Sequence, residues 1–198
     1  MSRSAEDVPN DLSFLVDIRR RLKLKGNGPR GLGVVGFGLG GDETSGPARD
    51  FADLCAEVRA EGLGVSIHAG EVTAMGRAAA GSVRQAVEDC GATRIGHGLG
   101  AVADPEVMSL LADRQVLVEM CPRSNVLTGA IERLEDHPIR AFLEAGIPCC
   151  LNTDDRSLFG LDLAGEYEAA KTVLGIEEEE WALMQKNARK GSFALVHK

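Results

Sequence analysis

The run Val65-Ser66-Ile67-His68-Ala69-Gly70-Glu71 ends an apolar, β-type stretch in an imidazole, follows it with two small residues, and sets a carboxylate three positions beyond the imidazole. In parallel α/β sheets, ligands sit at the carboxyl ends of strands, where the chain breaks into a loop. His68 is then the last strand residue, and Glu71 stands on the loop above it. Ala69 and Gly70 keep that loop close to whatever the pair holds. Imidazole is a metal ligand or a base, and a carboxylate in a recessed site can carry a proton. Taken alone, the pair is equally well explained by a core histidine and a surface glutamate.

Further strand-end clusters change that balance. His97 lies between Gly96 and Gly98, Cys121-Pro122-Arg123-Ser124-Asn125 closes the next apolar run, and Asn152-Thr153-Asp154-Asp155 closes the one after it. Gly41, in Gly40-Gly41-Asp42-Glu43, follows an earlier run. Each has a plain structural account: His97 as a satisfied buried imidazole, Asp154-Asp155 as a helix N-cap, Gly41 as a turn. All of these together would place titratable side chains by chance on one rim of one sheet. The chemical account has content. Neutral imidazole and carboxylate suit zinc in a catalytic site, where an open position holds water and lowers its pKa. His68 and Asp154 fit the ligand role, Glu71 a proton shuttle to a ring nitrogen, and His97 a group that orients or deprotonates the water. Asp155 is placed to hydrogen-bond a substrate. Other signatures fail: the zinc base-deaminase pattern needs H-x-E with P-C-x-x-C, whereas here the spacing is H-x-x-E and Cys121 precedes its proline. There is no H-E-x-x-H, P-loop or G-x-S-x-G.

The elements that must hold these residues alternate. Residues 1–10 are polar and expected to fray. Leu12, Leu15, Ile18 and Leu22 recur at helical spacing over 11–25, and Gly26-Asn27-Gly28-Pro29 stops that helix. Val34–Leu39 reads as a buried strand, 47–61 as a helix ended by Gly62, and the His68 strand leads to a helix near 82–90. The cadence repeats: strand 93–98, helix 105–113, strand 116–120, helix 138–145, strand 147–151, then helices over 163–174 and 177–194. Strand–helix alternation implies a parallel sheet with right-handed crossovers. Five such strands fall short of the eight, in about 250 residues, of a closed barrel. An open five-strand sheet leaves parallel edges and an apolar interior uncovered, which invites self-association.

The chain of 198 residues suits one domain, and 44% apolar with 26% charged residues is a globular composition. A net charge of −8 argues against nucleic acid as a partner. The one basic cluster, Arg19-Arg20-Arg21 with Lys23 and Lys25, reads as the solvated face of the first helix. Five cysteines without a C-x-x-C pair suggest a reducing compartment and no thiolate framework, and Cys149-Cys150 in an apolar run suggest buried packing. No apolar stretch approaches the roughly 18 residues of a membrane span, and the amino terminus is not signal-like. The expectation is a cytoplasmic protein with no membrane partner.

Taken together, Gly38-Leu39-Gly40-Gly41-Asp42-Glu43, His68-Ala69-Gly70-Glu71, Arg94-Ile95-Gly96-His97-Gly98, Cys121-Pro122-Arg123-Ser124-Asn125 and Leu151-Asn152-Thr153-Asp154-Asp155 closely resemble the adenosine deaminase family of metal-dependent hydrolases, in order and spacing, over about 32–194. The resemblance implies a (β/α) barrel of the TIM type and hydrolytic removal of the exocyclic amine of a purine such as adenosine. It implies Zn2+ held by His68 and Asp154, Glu71 as proton donor to the purine ring, and His97 as the residue handling the attacking water. It also implies purine contacts from Gly41 and Asp155. The Ser124-Asn125 pair and the Gly-Leu-Gly-Gly loop are similar to the bacterial branch that includes aminofutalosine and adenosine deaminases. Three features depart from the family. The H-x-H pair that supplies two more zinc ligands has no counterpart, Arg156 stands where proline is usual, and Gly38 stands where aspartate is common. The expectation is therefore a single partial deaminase domain, an incomplete barrel of about five βα units lacking its amino-terminal strands. Its alternative is a catalytically dead remnant that binds a purine or a partner.

Overall fold

A computed structural model describes residues 35–194. The expected helix at 11–25, with its basic cluster, lies outside the described residues. Five strands form one sheet in sequence order: β1 (Gly36–Leu39), β2 (Gly64–Ala69), β3 (Arg94–His97), β4 (Leu117–Met120) and β5 (Cys149–Leu151). Every neighbouring pair is parallel, with Gly38 beside Ser66, Ser66 beside Arg94, Arg94 beside Leu117, and Val118 beside Cys149. Helices connect the strands: α1 (Ala52–Ala60), α2 (Arg77–Glu88), α3 (Pro105–Asp113), α4 (Pro122–Leu127) and α5 (Ile139–Glu144). After β5 come α6 (Arg156–Phe159), α7 (Leu163–Thr172) and α8 (Glu178–Lys190). This is the expected α/β architecture, an incomplete parallel (β/α) barrel, and β1 and β5 are the edges of the described sheet.

Local chemistry accounts for the boundaries. Asp104 accepts a hydrogen bond from the Glu106 backbone N–H and Pro105 opens α3, a capped start with a ring that needs no donor. Glu177 and Glu180 form a capping box at the start of α8. Two short helices escaped the periodicity. α4 begins at Pro122, inside what reads as a strand-end motif, and α6 follows Asp155; at six and four residues neither spans enough turns to leave a repeat. Helix α2 begins five residues before the expected 82, because Arg77-Ala78-Ala79-Ala80 carries no large apolar side chain to mark a face.

Burial divides the two faces of the sheet. Phe37, Leu39, Val65, Ile67, Ile95, Val118, Met120 and Cys149 pack into the helix-covered core, together with Val83, Val107, Leu111 and Phe142. The alternate residues make the other face mixed, with the buried Leu117 and Cys150 set beside polar groups. Among the described residues that face carries Gly36, Gly38, Gly64, Ser66, Arg94 and Glu119, with Arg94 and Ser66 both donating to the Glu119 carboxylate. Phe193 lies across its lower end: a Cβ added at Gly36 or Gly64 would stand 2.3 Å from that ring, and the Arg94 guanidinium sits 4.9 Å from the ring centroid. Glycine is required there by the close approach of an aromatic ring. No helix among the described residues is long and apolar enough to cross a membrane.

Candidate active site

At the carboxyl ends of the strands a cavity of about 270 Å³ is lined by Gly41, His68, Glu71, His97, Asp154 and Asp155, with Glu43, Thr128 and Phe159 among the remaining wall residues. All six side chains and loops singled out from sequence therefore meet at one place. A larger cavity, about 400 Å³, opens at the amino-terminal end near Gln115, Lys190 and Phe193 and holds none of these residues.

His68 is the penultimate residue of β2, on the face away from the helices, and glycine brackets its ring. A Cβ on Gly96 would come within 2.6 Å of its Cδ2, and one on Gly40 within 3.5 Å of its Cε1. Strict alternation after Ile95 would send His97 toward the helices. Its backbone instead turns left-handed, φ 65°, and the buried ring lines the cavity edge-on to His68 at 4.8 Å between centroids. The Asn125 amide nitrogen lies 3.0 Å from His97 Nδ1. An N–H donated there leaves the ring hydrogen on Nε2, which lies 3.5 Å from Glu71 Oε2. The Thr128 hydroxyl donates to the other Glu71 oxygen at 3.3 Å. Asp154 also takes a left-handed backbone, φ 58°, a conformation found at functional sites when surrounding structure enforces it. The Ser124 hydroxyl donates to its Oδ2 at 2.6 Å. Asp155 sits at the N-cap position of α6, as its bland reading has it, but its side chain makes no cap hydrogen bond and it is exposed at the cavity rim.

Burial sets the protonation tendencies. Desolvation, followed by the neighbouring His97, holds the His68 imidazole below its usual range, against the pull of Asp154 and Glu71. Desolvation also lowers His97, with Asp154, Glu43 and Glu119 opposing. Glu71 is pushed upward, chiefly by burial, with Asp154 adding to the rise and His68 opposing it. Two neutral imidazoles and a carboxylate make a donor set that suits a borderline divalent ion. Ligand atoms of His68, Glu71 and His97 lie within 4.8 Å of one another, which makes this group a candidate metal site. Asp154, paired with His68 in the sequence reading, shares the cavity from the β5 side.

His137 is not part of this cavity. It is buried at 4% exposure, its Nδ1 accepts from the Ile139 backbone N–H at 3.2 Å, and burial lowers its pKa to about 4. A histidine depressed in the folded state binds its proton first in the unfolded chain, so stability falls as pH drops from about 6.5 toward 4. At about 1.4 kcal/mol per pKa unit, urea unfolding across that window should show a loss of a few kcal/mol from this residue, and His137→Gln should reduce the total loss by that share, leaving the part due to His68 and His97.

A parallel sheet with imidazoles and carboxylates gathered at its strand ends is the arrangement of an incomplete α/β barrel. The family model for adenosine deaminase matches residues 24–197, and the chain belongs to that family. It is 39% identical over 160 residues to the adenosine deaminase of Shewanella loihica, covering 81% of this chain and 47% of the relative. The chain thus spans about half the length of the curated relatives it matches. The adenine deaminase of Arthrobacter aurescens superimposes with a TM-score of 0.82 at 28% identity, covering 97% of this chain and 54% of that one. An amidohydrolase of Burkholderia ambifaria, crystallised with bound zinc, shares the fold with a TM-score of 0.81 at 21% identity, over 98% of this chain and 50% of its own.

Four residues of the site were not assigned roles from sequence. Ser124 and Asn125 stood in a strand-end motif, and that position was the available signal. Glu43 likewise stood in the loop motif after the first strand, whereas Thr128, at the C-cap of α4, carried none, because hydrogen bonds across the sheet leave no periodicity.

Proposed function

We propose that this chain forms a partial deaminase domain carrying one side of a zinc-dependent active site for hydrolytic deamination of a purine nucleoside such as adenosine, amine to carbonyl with release of ammonia. The observation that carries the reading is the convergence of His68, Glu71, His97 and Asp154 on one recessed cavity. Neutral imidazole beside carboxylate fits zinc, and His68 with Asp154 would hold it. When bound, zinc supplies Lewis-acid activation of the attacking water. Ser124 fixes the Asp154 carboxylate and so the direction of its free oxygen. His97, with its hydrogen on Nε2 and Asn125 behind it, orients the water by donating to it. Glu71, recessed and biased toward its protonated form, gives a proton to the purine ring nitrogen. Gly41 and Asp155 on the rim contact the purine. Self-association through the β1 and β5 edges, and a cytoplasmic setting, belong to this same reading.

A second reading is a purine-binding remnant without turnover, since His68 and Asp154 are two of the about four ligands that zinc takes. Zinc per chain, measured by atomic emission after dialysis against a mild chelator and followed by ammonia release from adenosine and adenine, separates the two. About one retained zinc with ammonia release would support the deaminase reading. Purine binding by calorimetry with neither zinc nor ammonia release would establish the remnant instead.

A further inference from the structure

Glu43 is 5% exposed, and three donors from two different elements converge on its carboxylate. The backbone N–H of Gly70 donates to Oε2 at 2.7 Å and the backbone N–H of Val72 to Oε1 at 2.7 Å. The Ser82 hydroxyl, from α2, donates to Oε2 at 2.5 Å. Gly70 and Val72 are the immediate neighbours of Glu71. The carboxylate therefore grips the chain on both sides of the residue that reaches into the cavity, leaving the Glu71 side chain as the projecting part of the loop. The loop is fixed from below as well. Gly70 carbonyl accepts from the Gly100 N–H at 2.7 Å, Gly70 has φ +72°, and a Cβ there would come within 2.7 Å of Val83 Cγ2. From the other direction, Glu43 stands two positions after Gly41. The Asp42 side chain accepts from the Thr44 N–H and from the Thr44 and Ser45 hydroxyls, so the exposed side of this loop is held by its own side-chain hydrogen bonds.

We infer that Glu43 is a positioning residue: it clamps the β2–α2 loop so that the Glu71 carboxyl is presented at a fixed place between His97 and Thr128, and it couples that loop to the Gly41 loop. Hydrogen bonds to an ionised acceptor are about twice as strong as neutral ones, and a group that transfers a proton must be held within a fraction of an ångström of its target. Glu43 contributes no atom to the reacting groups; it acts through the loop. The assignment of Glu71 as proton donor rests on the proposed deaminase reading, whereas the clamp itself is a statement about two backbone amides.

Those amides are the first readout. In ¹⁵N-labelled wild-type chain, the Gly70 and Val72 amide protons should resonate downfield and exchange slowly. Glu43→Gln turns one oxygen into a donor, so one of the two amides should lose its acceptor and exchange about 10- to 100-fold faster, the factor expected for loss of a hydrogen bond to a charged acceptor, while the other keeps a neutral acceptor and responds less. Exchange in β3 and β4 should stay unchanged. Ser82→Ala is the second variant, useful whether or not Glu43→Gln folds. It removes a partner of Oε2 alone, so Gly70 should respond and Val72 should not. The Glu71 side-chain ¹³C carboxyl resonance, sharp in wild type, should broaden in Glu43→Gln, and in protein that deaminates adenosine kcat should fall with KM unchanged. Unaltered exchange at both Gly70 and Val72 in Glu43→Gln, or equal responses of Gly70 and Val72 to Ser82→Ala, would overturn the clamp. Absence of turnover in wild type would overturn the deaminase reading and leave the amide result readable.

Discussion

In protein that turns over adenosine, Glu71→Gln is expected to lower kcat by about 10²- to 10⁴-fold, the range spanned by positioned proton transfer, while zinc content and KM stay near wild type. Gln keeps the size of the side chain and an acceptor for the Thr128 hydroxyl, which donates to Glu71 at 3.3 Å. What it loses is an acidic proton. The position is recessed, and burial biases the carboxyl toward its protonated form, so the native residue is prepared to give a proton where an exposed glutamate would already be ionised. The measurement is steady-state ammonia release paired with zinc per chain. Turnover within threefold of wild type would remove Glu71 from the role of proton donor. A parallel loss of zinc would assign it to the metal, a result that its place in the donor group with His68 and His97 makes worth reading directly.

Much of the fold was legible because it depends on patterns that the sequence carries locally. Apolar runs such as Val65–Ile67 and Val116–Val118, each followed by glycine or proline, announce buried parallel strands, and five of them became five strands in sequence order. Residues at strand ends converge because topology brings every carboxyl end of a parallel sheet to one side; naming His68, His97 and Asp154 on a rim needed only that rule. What stayed hidden depends on contacts across the sheet. Nothing near Glu43 signals that it reaches over to Gly70, Val72 and Ser82, because the partners lie 27 to 39 residues away. The left-handed turn at His97 was equally invisible: alternation predicts the wrong face, and only the assembled site shows the ring in the cavity. The polar cluster on the face away from the helices was missed for a related reason. Arg94, Glu119 and Ser66 each look like isolated polar residues until the register sets them side by side, where they satisfy one another.

A graded loss of metal is expected when the ligand side of the cavity is dismantled one group at a time. His68→Ala should abolish zinc retention through dialysis, because no other imidazole among the described residues occupies the slot that Gly40 and Gly96 hold open for it. Asp154→Asn should lose zinc as well, since the amide keeps the hydrogen bond geometry with Ser124 but surrenders the negative charge that a hard or borderline cation requires. Ser124→Ala leaves both ligands in place and removes only the partner that aims the Asp154 carboxylate, so zinc affinity should fall by about 10- to 100-fold. The series, read by competition with a chromogenic chelator, also decides between two ligand sets. Loss at His68 and Asp154 with retention at Glu71 supports the pair carried by the strand ends. Loss at His68 and Glu71 with retention at Asp154 would move the metal onto the tighter group of His68, Glu71 and His97, and would leave Asp154 to act on water or substrate instead. The two outcomes cannot be confused, because Ser124→Ala changes affinity only if Asp154 is a ligand.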